Sequence, residues 1–344
     1  MGLRDEIAEQ PASAERLLRL GRPAIEHLAD AIRSAGSRAV FIAARGTSDH
    51  AAIYAQYVLG VRNRMPVGLA APSIRTIYGV EPAFEGSVVL GISQSGASPD
   101  IVEVVSAARR QGAVTAALTN EPGSALAQVA DHVIDLGAGP ELAIAATKTY
   151  TAELLAIAML SAAIGDTGGW SELATAPTFL AAALDAEADA RSVAAAFPNA
   201  PACVILGRGF EYATAREWAL KLKELTRLVA DPYSAADVEH GPLALLEPGF
   251  PVLAIATSGA ASSGLDELLS RLVAAFGVDL LVVSDRPAAR DLGRWSLPAR
   301  PGVPDWLTPL TSIVPCQLFA YHLARARRLD PDAPRNIAKV TRTR

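Results

Sequence analysis

The chain has 344 residues, 51% apolar and 19% charged, with a formal net charge of −5. That length suits two domains of roughly 150 residues each, and the composition excludes disorder and low-complexity fibre. The acidic balance leaves no general basic surface for nucleic acid, no run reaches the ~18 uninterrupted apolar residues of a membrane span, and Met1-Gly2-Leu3-Arg4-Asp5-Glu6 puts charge where a signal peptide needs an apolar stretch. Two cysteines, Cys203 and Cys316, and five scattered histidines form neither a disulfide framework nor a zinc site. A cytoplasmic protein that uses no metal or cofactor and takes a small molecule is expected.

In chain order, Ala12 to Leu20 and Pro23 to Ser34 read as amphipathic helices parted by Gly21, and short β-branched runs then alternate with helical patterns. That alternation predicts parallel sheets. Strands are predicted at Val40 to Ala44, Val67 to Ala70, Val88 to Ile92, Val114 to Leu118 and His132 to Leu136, and again at Cys203 to Leu206, Val229 to Asp231, Val252 to Ala256 and Leu280 to Val283. Between the two sets, Thr151 to Ile164 and Ala174 to Phe197 read as long helices with a Gly168-Gly169 break. The expected organisation is N-terminal helices over 1–34, a first domain over 35–165, a helical connection over 166–198, a second domain over 199–330 and a tail over 331–344.

The halves repeat each other. Val89-Leu-Gly-Ile-Ser-Gln-Ser-Gly96 aligns with Val252-Leu-Ala-Ile-Ala-Thr-Ser-Gly259 at an offset of 163, five of eight identical, and the same offset carries Ala44-Arg-Gly46 onto Gly207-Arg-Gly209. So long a period means a duplicated domain rather than a solenoid. In the first copy the strand runs into Ser93-Gln94-Ser95-Gly96-Ala97-Ser98-Pro99, with Ser98 placed as N-cap and Pro99 as first helical residue. Hydroxyls, an amide and backbone N–H groups thus converge on a helix N-terminus at a strand's carboxyl end, which suits a phosphate monoester. Gly46-Thr47-Ser48 adds hydroxyls from a second strand end. The second copy has Ala256, Thr257 and Ala261 in place of Ser93, Gln94 and Ser98, so capping alone does not demand the polar set.

Thr214 to Thr226 reads as a helix with Trp218, Leu222, Leu225 and Val229 on one stripe and Glu217, Lys221 and Glu224 on another. Lysine is rare in this arginine-rich chain, only Lys148, Lys221, Lys223 and Lys339, so each lysine invites scrutiny. His240 precedes a Gly-Pro turn, which exposes a side chain, and Pro334 to Lys339 is a short polar tail.

Together these stretches resemble the double sugar-isomerase (SIS) domain family, most closely the isomerase half of the glucosamine-fructose-6-phosphate aminotransferases. The matching segments are Glu6 to Pro11, Arg45 to Ser48, Ile92 to Gly96, Glu141 to Lys148, Leu206 to Gly209, Glu217 to Glu224, Glu239 to Ala244 and Pro334 to Lys339. The resemblance implies two tandem α/β SIS domains, each a parallel sheet flanked by helices in a flavodoxin-like three-layer arrangement. It implies that Ser48, Ser93, Gln94, Ser95 and Ser98 hold a 6-phosphate and that Thr47, Ala146 and Ala338 line the sugar. Glu224 would move a proton between C1 and C2, His240 would assist ring opening from the partner subunit of a homodimer, and Lys339 would form a Schiff base at C2, with Glu217 and Lys221 supporting them. The family's aminotransferases carry an N-terminal glutaminase with a cysteine nucleophile, whereas here Gly2 follows Met1 and the first cysteine is Cys203, so glutamine-dependent amidotransfer is not expected. Ala146 stands where the family commonly has a hydroxyl residue, which leaves apolar room. The expected activity is an amino-sugar 6-phosphate isomerase/deaminase. A dehydratase (lyase) of an N-acetylhexosamine 6-phosphate such as N-acetylglucosamine 6-phosphate and a non-catalytic sugar-phosphate sensor are the alternatives.

Overall fold

A computed structural model of the chain describes residues 2–165, 169–197 and 199–339. Its contacts divide the chain into two compact units interleaved in sequence. The first unit takes residues 9–141, 148–177 and the tail from residue 338; the second takes residues 2–8, 142–147 and 178–337.

The first unit is built on five strands, β1 (Val40–Ala43), β2 (Val67–Leu69), β3 (Val88–Ile92), β4 (Val114–Thr119) and β5 (His132–Asp135), all parallel in the order β2-β1-β3-β4-β5. β3 is buried at every residue because helices cover both faces of the sheet. On one face Val89 and Ala117 pack against Ile101, Val104, Val105 and Ala108 of the Pro99–Arg110 helix and against Leu126. Elsewhere in the unit the Arg22–Ala35, Thr47–Asn63 and Lys148–Ile164 helices pack together. The last of these has almost no polar face, as a helix surrounded by protein should.

The second unit repeats the plan with β6 (Ala202–Gly207), β7 (Val229–Ser234), β8 (Pro251–Ile255), β9 (Asp279–Ser284) and β10 (Trp295–Pro298), all parallel in the order β10-β9-β8-β6-β7. Val204, Val252, Leu280 and Val282 share a core cluster with Leu265, Leu269 and Leu272 of the Ser262–Phe276 helix. The Glu187–Ala196 and Glu211–Thr226 helices pack on the Thr308–Ala326 helix, where Phe319 meets Phe197 and Trp218 edge-on at 5.4 and 5.7 Å. Each such pair adds about 0.5–1.5 kcal/mol beyond the area it buries.

All nine predicted strands are present, and β10 is an addition. Its four residues end in Pro298 at a sheet edge, too short and too proline-marked to read as a strand, yet an edge is where a proline is tolerated. The same rule lets β7 run past Asp231 through Pro232, because β7 is the opposite edge. Ala174 to Phe197 is not one helix. It breaks into Ala176–Ala183, a 3₁₀ turn at Leu184–Ala186 and Glu187–Ala196. Gly168 of the predicted glycine break lies outside the described residues, and a short helix begins at Gly169.

Candidate functional site

In each unit the strand order reverses beside its first strand, between β1 and β3 in one sheet and between β6 and β8 in the other, and open α/β sheets take ligands at that switch point. The turns leaving β1 and β3 carry Gly46-Thr47-Ser48 and Ser93 to Ser98. Ser98 is the N-cap of the Pro99–Arg110 helix and Pro99 its first residue, but the Ser98 hydroxyl makes no capping bond. The Ser93 hydroxyl accepts the Gly96 N–H at 3.1 Å and so shapes the turn. Among the described residues nothing bonds the N–H groups of Gln94, Ser95 and Ser98, which lie by the positive end of the helix.

The second repeat shows what this turn geometry attracts. Ser258, the counterpart of Ser95, gives its N–H and hydroxyl to the two carboxylate oxygens of Asp285 at 2.7 and 2.5 Å. The N–H of Ala260, counterpart of Ala97, goes to Asp305, and the hydroxyl of Thr257, counterpart of Gln94, goes to Glu211, which sits at the position equivalent to Ser48. The turn after β8 is therefore closed by the protein's own carboxyl groups, and among the described residues none bonds the N–H groups of the turn after β3.

Gly96 sits at φ +57°, and a Cβ there would lie 2.0 Å from the Ser124 hydroxyl, itself the cap of the next helix. Gly96→Ala is expected to destabilise the chain by about 1–3 kcal/mol through this overlap, as urea unfolding would report. Arg45 donates to the fully buried Asp100 at 2.9 Å, tying the end of β1 to the helix after β3. Sequence reasoning placed neither of them in the site. Ser48 donates its hydroxyl proton to the buried Glu153 at 2.7 Å, and half-buried Thr47 opens the Thr47–Asn63 helix.

In the second unit Glu217, Lys221 and Glu224 gather on the Glu211–Thr226 helix. This is no solvated i, i+4 pair, since Lys221 is 1% exposed and Glu217 is fully buried. The Lys221 ammonium lies 3.3 Å from Glu217 and 2.6 Å from Glu224, whose side chain remains 20% exposed. Burial by itself would lower the lysine pKa, but the two carboxylates outweigh it and hold the group charged. His240 is exposed ahead of Gly241, whose φ of +125° turns the chain. Half-buried Ala146 belongs to the 142–147 segment, where the buried Glu6 carboxylate accepts the N–H groups of Leu142 and Ala143.

Lys339 belongs with the first unit, next to exposed Ala338. Its ammonium donates to Glu141 at 2.7 Å; that carboxylate is fully buried and also accepts the N–H and hydroxyl of Thr149. Glu141 is a residue that sequence reasoning passed over, although it opens the Glu141 to Lys148 segment. Lys148 is buried too and donates to Glu9 and to the Pro140 carbonyl. Three of the four lysines thus serve specific carboxylates, and only Lys223 is exposed. Both cysteines are free and buried, with Cys203 pushed up to about 12 by burial. Among the described residues no cluster of His, Cys, Asp and Glu could hold a metal ion, and no helix is long and apolar enough to cross a membrane.

Burial raises the Glu211 carboxyl above the ordinary 4.5, against the pull of the Thr214, Ser312, Thr308 and Thr257 hydroxyls. A carboxyl whose folded pKa is raised contributes stability that is full below its unfolded value and is lost as pH rises through the folded one. Glu211→Gln is neutral throughout, so its urea midpoint should gain on the wild type between pH 5 and pH 8.5. A constant difference across that range would contradict the assignment.

Two doubly wound parallel sheets of the same plan define a duplicated α/β protein. The SIS domain profile matches residues 34–163 and 197–327, and the chain belongs to the SIS domain family. It is 36% identical over 306 residues to an isomerizing glutamine–fructose-6-phosphate aminotransferase of Methanothermobacter thermautotrophicus, an alignment covering 88% of this chain and 51% of that protein. The chain spans about half the length of the curated relatives it matches. Among solved structures, a candidate phosphosugar isomerase of Silicibacter pomeroyi superposes with a TM-score of 0.88 at 36% identity, covering 96% of this chain and all of the other. The C-terminal domain of glucosamine-fructose-6-phosphate aminotransferase from Francisella tularensis gives 0.83 at 26% identity, over 96% and 98%.

Proposed function

We propose that the chain is an amino-sugar 6-phosphate isomerase/deaminase that converts glucosamine 6-phosphate and water into fructose 6-phosphate and ammonia. The observation that carries this reading is the contrast between the two switch points: the turn that the second repeat fills with Asp285 and Asp305 is free of carboxylates in the first. A phosphate monoester would fill it, held by Ser93, Gln94, Ser95 and Ser98, with Ser48 as a further hydroxyl once its proton turns from Glu153. Thr47, Ala146 and Ala338 would border the sugar, and the names of the relatives support a phosphosugar as the substrate class.

In the proposed chemistry His240, supplied by the partner in a homodimer, assists opening of the ring. Glu224 takes the C2 proton of the open aldose and returns it to C1, leaving a C2 imine. The Lys339 amine adds to C2 and expels ammonia, and water then hydrolyses that Schiff base to the ketone and frees the lysine. Glu141 would steer the lysine and Lys221 would orient Glu224. Lys339→Ala is expected to abolish ammonia release while leaving proton exchange at C2; no ammonia from any hexosamine 6-phosphate with the wild type would overturn the reading. Ala146 supports a second reading, elimination of the 3-hydroxyl from an N-acetylated hexosamine 6-phosphate, because the side chain is small and lacks a hydroxyl. An unsaturated, ultraviolet-absorbing product would mark it.

A further inference from the structure

A cleft of about 650 Å³ opens in the second unit among the Leu3–Ala8, Glu187–Ala196 and Thr308–Ala326 helices, within the size range of small-molecule sites. Its lining carries Arg4, Arg191 and Arg325 with one carboxylate, Glu187, while Asp5 acts on Arg4 and Asp330 and Asp332 act on Arg325 from beside it. Arg4 occupies that carboxylate from two nitrogens, at 3.2 and 2.5 Å, which leaves Arg191 at 3.8 Å and Arg325, hydrogen-bonded to the Tyr321 hydroxyl, with donors to spare. His322 closes the floor. It is 8% exposed, and its Nε2 is buried without a hydrogen bond, 3.4 Å from Glu187. That nitrogen faces the Glu187 carboxylate without a well-aligned bond and can serve a second acceptor in the cleft.

We propose that this cleft is an anion-binding site that takes a small molecule through its phosphate group, clamped by Arg191 and Arg325 and hydrogen-bonded by His322 Nε2. It does not depend on the serine-lined turn, which belongs to the first unit. Guanidinium forks match phosphate oxygens, and the Tyr321 ring offers a wall for the rest of the ligand. His322 is faced by Arg4, Arg191, Arg325, Tyr321 and Glu187; burial, then Arg191, holds it below the ordinary histidine value. A bound dianion would raise it, so binding strengthens as pH falls through the raised value.

The test follows the His322 imidazole by NMR in the full chain, assigned with His322→Gln, during titration with inorganic phosphate and with glucose 6-phosphate at constant ionic strength. We expect a saturable shift and a raised His322 pKa with at least one of them. Saturation by both means that the phosphate group alone is read; saturation by the sugar phosphate alone means a phosphorylated metabolite is. Arg191→Ala with Arg325→Ala, both at exposed side chains, should weaken the affinity by about tenfold or more. A shift that stays linear with both probes, or one that saturates unchanged in the double variant, would overturn the proposal.

Discussion

Glu224→Gln is expected to fold normally and to lower turnover on a hexosamine 6-phosphate by about 10²–10⁴-fold, the usual contribution of a positioned general base. Glutamine keeps the shape of the side chain and can still accept from Lys221, 2.6 Å away, but it cannot take a proton. KM should change little if, as proposed, the phosphate is held by the Ser93 turn rather than by this carboxylate, and loss of kcat alone marks an interaction made in the transition state. Glu217 makes the contrast. It is fully buried with the same lysine 3.3 Å away, so Glu217→Gln should show mainly as lost stability. Wild-type turnover in Glu224→Gln would remove the carboxylate from the mechanism.

Lys221→Met is expected to cost about 3–5 kcal/mol of stability, the effect of removing one partner from a buried ion pair. The methionine fills the volume, yet it leaves the buried Glu217 with no ammonium beside it. Adding Glu217→Gln to Lys221→Met should recover part of the loss, since it removes the buried charge that the ammonium had balanced. Urea midpoints of the two single variants and the double one measure this, and the non-additivity is the diagnostic quantity. A loss below 1 kcal/mol in Lys221→Met would mean that the cluster is solvated after all.

Much of this protein is readable before folding is considered. The alternation of β-branched runs with helical patterns marks nine strands, and the offset of 163 residues maps β3 onto β8 with their following turns. Edge strands resist such reading: Pro232 and Pro298 look like terminators, and only the sheet order shows that they stand at edges, where a missing N–H costs nothing. The strand-to-helix turn after β3 was legible from Ser98 and Pro99, and the rarity of lysine pointed to Lys221, whereas Lys339 came only with the family resemblance. Their partners were harder. Glu217 and Glu224 lie within one helix of Lys221, so spacing finds them, whereas Glu141 lies 198 residues from Lys339 and Asp100 lies 55 from Arg45. The closing of the second turn by Asp285 and Asp305 likewise depends on loops that no local pattern predicts.

Solvent exchange at the sugar carbon probes the mechanism most directly. With glucosamine 6-phosphate in deuterated water, NMR should show deuterium entering at C2 of the substrate or C1 of the product with the wild type and with Lys339→Ala, and none with Glu224→Gln. Absence of exchange with the wild type on every hexosamine 6-phosphate, or exchange that survives Glu224→Gln, would contradict it.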